Sequence, residues 1–424
     1  MGFVALGGYI TTQNLTFKII MEDLGTEEYE FLGFEDGFNA FHSGNTHALT
    51  IDSFVNGDGR IMTGFTSGAS RYSLRDKKTK EPIEARVLSA VNFIRAAKLD
   101  YIVGSGGDEH GAELNLLSDV LRASGIECKV LVANKTMDGD IGGEDGKIME
   151  GLVAPFTDTS NGYEAATALI SNSMLMAGPD AWTSNGPLIV THFSEKSNFV
   201  AYGAGYYGHA DLVFPGELSA DHPGWSIRTI EDRIRAAQAE NLRRYGRKIA
   251  VAVFPEGTKV EGIHHVSDRI EEAHGKRKIY PELLAVGLKE ALSERKLDVH
   301  TMTFTYELRT FTQPDFPYSL ESDYRLARES GHKLADAIRR GESGMETTIK
   351  IRDGKVEVGL APIHLVTLKR LTSYSQYPWF NPDTFTVRAE FGRYYDPLFG
   401  GGRVERERFF PRKPQVVNVY GAPH

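Results

Sequence analysis

The chain has one cysteine, Cys128, in 424 residues. No intramolecular disulfide can form, and a reducing, cytoplasmic setting is expected. No apolar run reaches the ~20 residues of a membrane span, and the N-terminus lacks the charged-then-apolar layout of a signal peptide. Positive charge is also short: 48 Lys and Arg against 57 Asp and Glu leave a net charge of −9. That balance excludes a general nucleic-acid binder. It also means that an anionic substrate must be held by local Arg, Lys, metal ions or backbone N–H groups against the field of the whole protein. Internal repeats and low-complexity segments are absent. With 41% apolar and 25% charged residues, the composition is that of a soluble globular protein, long enough for two lobes with large buried cores.

Glycine is abundant, with 44 residues, many directly after apolar runs. The recurring pattern is a short β-branched or apolar run, a Gly-rich or polar loop, then an amphipathic stretch. Runs at Leu99–Gly104, Cys128–Ala133, Pro187–Thr191, Ala210–Phe214 and Lys248–Phe254 predict strands. Helices are predicted over Ile230–Tyr245 and Ser322–Gly341, the latter with Ser322 as N-cap and Gly341 as its stop. Strands alternating with helices imply an α/β fold with mostly parallel sheets. Ligands in such sheets bind beyond the carboxyl ends of the strands, where the polar loops fall. Beyond about Asp353 this rhythm is lost, and an aromatic, Pro-rich extension is expected to wrap a surface or support an oligomer.

Two loops carry the chemistry. Gly104-Ser105-Gly106-Gly107-Asp108-Glu109-His110 would let backbone approach a phosphate at the N-terminus of the following helix. Its Asp can hold Mg²⁺. Alone, it fits a tight strand-to-helix turn with a capping Asp equally well. Lys135-Thr136-Met137-Asp138-Gly139-Asp140 offers two carboxylates, one suited to accept a hydroxyl proton and one to bind metal. A solvated acidic turn is the plainer interpretation of that loop alone. On consecutive strands of one sheet, the two loops make a phosphoryl-transfer site. Gly7-Gly8-Tyr9 to Asn14 and Thr66 to Arg71 can add backbone N–H groups, with Arg71 as a phosphate clamp. His110, His192 and His209 lack metal-ligand spacing and read as structural. Tyr202, Tyr206 and Tyr207 read as packing or interface residues rather than a cofactor box.

These motifs resemble those of the phosphofructokinase family, whose second loop reads Pro-Lys-Thr-Ile-Asp-Asn-Asp. Further matches follow in the family's order: Gly7-Gly8 to Asn14, Gly33-Phe34 to Gly37, Ser67 to Arg71, Gly208 to Val213, Pro255-Glu256-Gly257 and Tyr306 to Arg309. The resemblance spans residues 3 to 350. It implies two Rossmann-like lobes with mostly parallel sheets. Residues 1–150, with about 310–350, would form the donor-phosphate and Mg²⁺ lobe. Residues 151–309 would form the acceptor lobe, and 351–424 an extension on the lobes or at a subunit interface. The site would lie in the cleft between the lobes.

The resemblance also implies roles. Asp138 would accept the acceptor's proton, and Asp108 and Asp140 would act around Mg²⁺. Gly7, Gly8, Gly106, Gly107 and Asp108 would line the donor phosphates beside Glu109 and Thr136, with Arg71 as the charge-stabilising clamp. Glu256 would bind acceptor hydroxyls and Arg309 its distal phosphate. Pyrophosphate users in the family place Asp and Lys where ATP users have Gly. This chain has Glu109 and Lys135, so pyrophosphate is the expected donor and ATP the alternative. Phe193-Ser194-Glu195 replaces the family's Met-Gly-Arg, so Glu195 stands where an Arg meets the sugar phosphate, with Lys196 available beside it. The expected acceptor is fructose 6-phosphate at its 1-hydroxyl, in a glycolysis-type step, by a homodimer or homotetramer. The alternatives are another sugar phosphate, a polyol or a nucleoside, or a catalytically silent regulatory paralogue.

Overall fold

The computed structural model describes residues 1–7, 10–62, 64–70, 72–76, 79–142, 156–194, 197–218, 222–263, 280–305, 321–368 and 379–399. The chain divides into two compact units. The described residues of the first fall within Met1–Ala166, Glu307–Thr372 and Tyr394–Gly400, and those of the second within Thr167–Tyr306 and Ser373–Arg393.

In chain order the elements of the first unit begin with β1 (Gly2–Ala5), α1 (Ile10–Leu24), β2 (Leu32–Phe34), α2 (Ala40–Ser43) and β3 (Thr46–Ala48). They continue with α3 (Glu84–Ala97), β4 (Tyr101–Gly106), α4 (Asp108–Ala123), β5 (Lys129–Thr136) and β6 (Asn161–Gly162). The second unit holds most of α5 (Tyr163–Ser184), then β7 (Pro187–His192), α6 (Asn198–Tyr207), β8 (Leu212–Val213), α7 (Ile227–Tyr245), β9 (Ala250–Pro255) and β10 (His300–Phe304). The chain then returns to the first unit with the helix Glu321–Arg339, β11 (Met345–Arg352) and β12 (Lys355–Pro362).

Among the described residues the first sheet has the order β12-β11-β5-β4-β1-β2-β3, with β6 paired beside the end of β5. Its central pairings β2–β1, β1–β4, β4–β5 and β5–β11 are parallel, and the edges β2–β3 and β11–β12 are antiparallel. The second sheet, β10-β7-β9-β8, is wholly parallel. The fold is α/β, as the alternation of strands and helices predicts.

The near-continuous apolar runs follow from burial on both faces. Successive strand side chains point to opposite faces. Phe3, Val103, Leu131 and Ala133 therefore join one core with Phe17 of α1, while Val4, Ile102, Val130 and Val132 join another with Leu114 and Leu117 of α4. Phe3 stacks on Phe17 with centroids 4.7 Å apart, a contact worth ~1 kcal/mol beyond its buried area.

Several boundaries differ from the sequence expectation. The strand predicted at Leu99–Gly104 runs instead through Gly106, and that predicted at Cys128–Ala133 runs through Thr136. β6 supplies the extra pairing, matching Lys135 with Asn161 and Thr136 with Gly162. The strand predicted at Ala210–Phe214 shrinks to Leu212–Val213. α7 starts earlier than expected because Ser226 caps it, accepting the Thr229 N–H at 3.1 Å. Ser322 is not an N-cap, since the helix already includes Glu321. The α/β rhythm does not stop at Asp353: Asp353 and Gly354, both at positive φ, turn β11 back into β12. Among the described residues no helix is long and apolar enough to cross a membrane.

Candidate active site

In the first unit β1, β4 and β5 are consecutive in the sheet, and their carboxyl ends are level, with Ala5 paired to Ser105 and Gly106 to Asn134. Leu6 N–H donates to Ser105 O at 2.9 Å, and the chain then turns at Gly7, whose φ is 78°. A Cβ on Gly7 would lie 3.4 Å from His110 Cε1 and 4.0 Å from Lys135 Nζ. The Lys135 ammonium therefore stands at the Gly7 turn, fixed by a strand backbone. Gly107 is the N-cap of α4 and makes no side-chain cap, so the first N–H groups of the helix face outward from the strand end. Its missing Cβ faces Lys135 O at 3.8 Å and Thr136 Cβ at 3.9 Å. Gly7, Gly107, Lys135 and Thr136 thus gather at one sheet edge. At an α-helix N-terminus with a positive side chain beside it, that edge suits phosphate oxygens.

The carboxylates follow at once. Asp138 N–H donates to Thr136 Oγ1 at 3.2 Å. Gly139 has φ 67°, and a Cβ there would stand 2.7 Å from Tyr163 Cδ2. The turn is therefore pressed against a fully buried tyrosine at the start of α5. Asp138 is half-buried and Asp140 only 3% exposed. Ser160 Oγ donates to Thr136 O at 2.8 Å and Asn161 Nδ2 to Asn134 O at 3.2 Å, which pins the end of β5. The N-terminus of α5 is capped from a distance by Asp323, which accepts Gly162 N–H at 3.0 Å and Ala165 N–H at 3.3 Å.

The donor set fits a Mg²⁺ ion. Asp140, almost fully buried at this turn, offers one carboxylate, and Asp108 opens α4 at the next strand end; Mg²⁺ takes one or two protein carboxylates and completes its shell with water and phosphate oxygen. Among the described residues no three of His, Cys, Asp and Glu converge as a self-contained cage, and that mode of binding needs none.

The Glu109 side chain, in the first turn of α4, is 70% exposed and pairs with Lys80 at 2.9 Å. Gly8, Arg71, Glu195, Lys196 and Arg309 lie outside the described residues, as does the side chain of Asp108.

In the second unit the ends of β7, β9 and β10 are level, with His192 paired to Pro255 and to Phe304. Glu256 follows β9, is buried, and donates its N–H to His192 O at 2.8 Å. His192 Nδ1–H donates to Phe193 O, and complete burial lowers this imidazole to about 4, so it is neutral at pH 7. Ser194 carries φ 120°, a conformation that favours glycine. Tyr202 stacks on Phe380 at 6.0 Å, and Tyr206 and Tyr207 flank Phe391 at 5.9 and 6.3 Å. They are packing residues.

His110, read from the sequence as structural, fills the space left by Gly7 and Gly106. Sequence reasoning missed two groups at this edge: Tyr163 backs Gly139, and Asp323 caps α5. Asp323 and Tyr163 carry no spacing signal, because their partners are 161 and 24 residues away.

No family model matches the chain. Its fold is that of the phosphofructokinases. The pyrophosphate-dependent phosphofructokinase from Marinobacter aquaeolei superposes over 98% of this chain and 97% of its own, with TM-score 0.69 and 16% identity. The enzyme of that description from Nitrosospira multiformis gives TM-score 0.69 at 14% identity, over 99% and 95% of the two chains. In sequence the chain is also similar to an ATP-dependent 6-phosphofructokinase of Amycolatopsis methanolica, 26% identical over 347 residues, which is 78% of this chain and 68% of the relative. Fold and sequence alike resemble the phosphofructokinase family, as the order of motifs predicts.

Proposed function

We propose that the chain is a Mg²⁺-dependent phosphotransferase that moves a phosphoryl group from pyrophosphate to the 1-hydroxyl of fructose 6-phosphate. The observation that carries this reading is the gathering of the Gly7 turn, the Gly106–Gly107 turn, Lys135 and the Asp138–Asp140 turn at the ends of three adjacent parallel strands. Donor phosphates would lie against Gly7, Gly8, Gly106, Gly107 and Thr136 at the N-terminus of α4, with Arg71 as clamp. Asp108 and Asp140 would hold Mg²⁺, which when bound neutralises charge on the phosphates. The Asp138 carboxylate takes the proton of the acceptor hydroxyl as its oxygen bonds to the transferring phosphorus. The bond to the departing phosphate breaks, and Lys135 Nζ meets the charge that this oxygen gains. Glu256, Arg309, Glu195 and Lys196 would bind the acceptor. A cytoplasmic homodimer or homotetramer is the proposed form.

A second reading keeps the site and exchanges the donor. The sequence relatives from Amycolatopsis methanolica and Chloroflexus aggregans are both named ATP-dependent, and Glu109 stands exposed with Lys80. Coupled assays with pyrophosphate or ATP against fructose 6-phosphate, with and without Mg²⁺, decide between the two. Turnover with ATP alone transfers the proposal to the second reading. Turnover of a polyol, nucleoside or other sugar phosphate in its place changes the acceptor. No turnover with any pair ends the phosphotransferase reading in favour of a silent paralogue.

A further inference from the structure

Glu113, in the second turn of α4, is 5% exposed and has no part in the chemistry above. Ser73 Oγ donates to its Oε1. The same Ser73 Oγ accepts the Arg75 N–H at 3.0 Å, and Ser73 O accepts Arg86 Nη1 at 2.7 Å. Arg86 also lies over the Tyr72 ring at 4.6 Å. Segment 72–76 is thus tied to α4 at Glu113 and to α3 at Arg86. Just upstream, Ser70 bridges Leu6, and its carbonyl accepts the Gly7 N–H at 3.4 Å. Ser70 Oγ accepts the Tyr72 N–H at 3.2 Å, which ties Ser70 to segment 72–76. Two buried atoms in this cluster make no hydrogen bond, the acceptor Glu113 Oε2 and the donor Arg75 Nε.

We propose that Glu113 is a positioning residue whose contact with Ser73 holds segment 72–76 on α4 and, through Ser70, sets the Gly7 turn. Its consequence for donor binding rests on the function proposed above; the contact itself does not.

The contact is pH-sensitive. Burial raises the Glu113 carboxyl from 4.5 to about 7, against the hydrogen bonds from Ser73 and Leu74, with Glu109 adding to the rise and Arg75 opposing it. The charged or titratable groups on the elements around it are Asp108, Glu109, His110, Asp119 and Arg122 on α4, Tyr72, Arg75 and Asp76 on the covering segment with Lys80 beyond it, Glu84, Arg86 and Arg95 on α3, and His364 on the short helix Ile363–Val366. The covered carboxyl binds its proton more tightly than an uncovered one. Covering is therefore strongest at low pH and weakens as pH rises through the covered value. For an uncovered carboxyl at the ordinary glutamate value of 4.5, the opening constant of the segment increases about tenfold between pH 6 and pH 8.

Hydrogen–deuterium exchange of the peptide over residues 68–80, corrected for intrinsic pH dependence, measures that opening in the full chain. The expected result is about tenfold more opening at pH 8 than at pH 6 in the wild type, and no pH dependence in Glu113→Gln. Equal behaviour of the two proteins overturns the proposal. Should Glu113→Gln fail to fold, Ser73→Ala is the second variant: faster exchange at both pH values supports the contact, and unchanged exchange overturns it. Calorimetric titration with pyrophosphate at pH 6 and 8 reads the consequence. An affinity that falls with pH more in wild type than in Glu113→Gln supports the coupling to Gly7. Equal pH dependence while exchange differs overturns the coupling. If exchange responds but no protein binds pyrophosphate, the contact stands and the donor reading falls.

Discussion

Gly139→Ala probes the turn that carries both carboxylates without touching either. Two costs follow from the structure. The backbone sits at φ 67°, where an L side chain costs ~1–2 kcal/mol. The new methyl would also lie 2.7 Å from Tyr163 Cδ2, and that ring is held at 5.5 Å by Tyr395 and at 6.3 Å by Phe399. Overpacking against a fixed ring costs ~1–3 kcal/mol. Together these give roughly 3 kcal/mol, a Tm lower by roughly 3 °C for a chain this long at ~2 cal/mol/K per residue of unfolding entropy. The ring cannot yield easily, so the turn moves and takes Asp138 and Asp140 with it. A displacement of ~1 Å costs about a hundredfold in turnover. Tyr163→Leu opens the space but leaves the backbone strain, so a double-mutant cycle with kcat as readout separates the two. In Gly139→Ala, kcat should fall about a hundredfold, and a substantial part of that loss should return in the double variant. Turnover within twofold of wild type in Gly139→Ala, or no coupling with Tyr163, would refute the reasoning.

Further outcomes follow from the same geometry. Asp138→Asn removes the proposed base but keeps size and the Thr136 contact, so turnover should drop ~10²–10⁴-fold while calorimetric pyrophosphate binding persists; retained turnover excludes Asp138 as base. Lys135→Met should weaken pyrophosphate binding and lower kcat together, and an unchanged binding isotherm would remove Lys135 from the donor site. Chelation with EDTA should abolish turnover and added Mg²⁺ restore it; activity that survives chelation would remove the metal from the mechanism. Glu113 links stability to pH. Its carboxyl is raised in the fold from 4.5 to about 7, so its contribution is fully present below the lower value and is lost as pH rises through the upper one, roughly 3 kcal/mol in all. Relative to Glu113→Gln, the wild type should therefore lose stability to urea between pH 6 and 8, and parallel curves would contradict the sign.

The strand-end edge where Gly7, Gly107, Lys135 and Thr136 gather was legible because its parts are local. Gly106, Gly107 and Asp108 are adjacent in sequence, as are Lys135 through Asp140, and both groups follow apolar runs whose parallel pairing brings them side by side. What the sequence hid is long-range. Gly106 looks like a loop residue, yet it lies in β4, with His110 of α4 close against it where a Cβ would stand. Lys135 and Thr136 look like the start of a polar loop, yet Asn161 and Gly162 extend the ladder past them. The turn Asp353-Gly354 was visible as a hairpin signal, but the aromatic, Pro-rich segment after it obscured the strand it begins. The acceptor half was less legible for a physical reason as well. Glu256 and His192 are placed by pairing among β7, β9 and β10, a long-range arrangement that no local spacing announces.

The extension of β5 bears on the electrostatics of the whole chain. With a net charge of −9, the general field repels a polyanion, and attraction has to be built locally. A lysine on a loop would spend conformational freedom to meet a phosphate. Lys135 is instead a buried strand residue, paired through its backbone to Asn161 and with its ammonium already at the Gly7 turn. Its charge is thus pre-positioned in a region of low water content, where each unit of charge acts more strongly than at the surface. If the proposed function holds, this is how an overall acidic protein holds an anionic donor at one strand end.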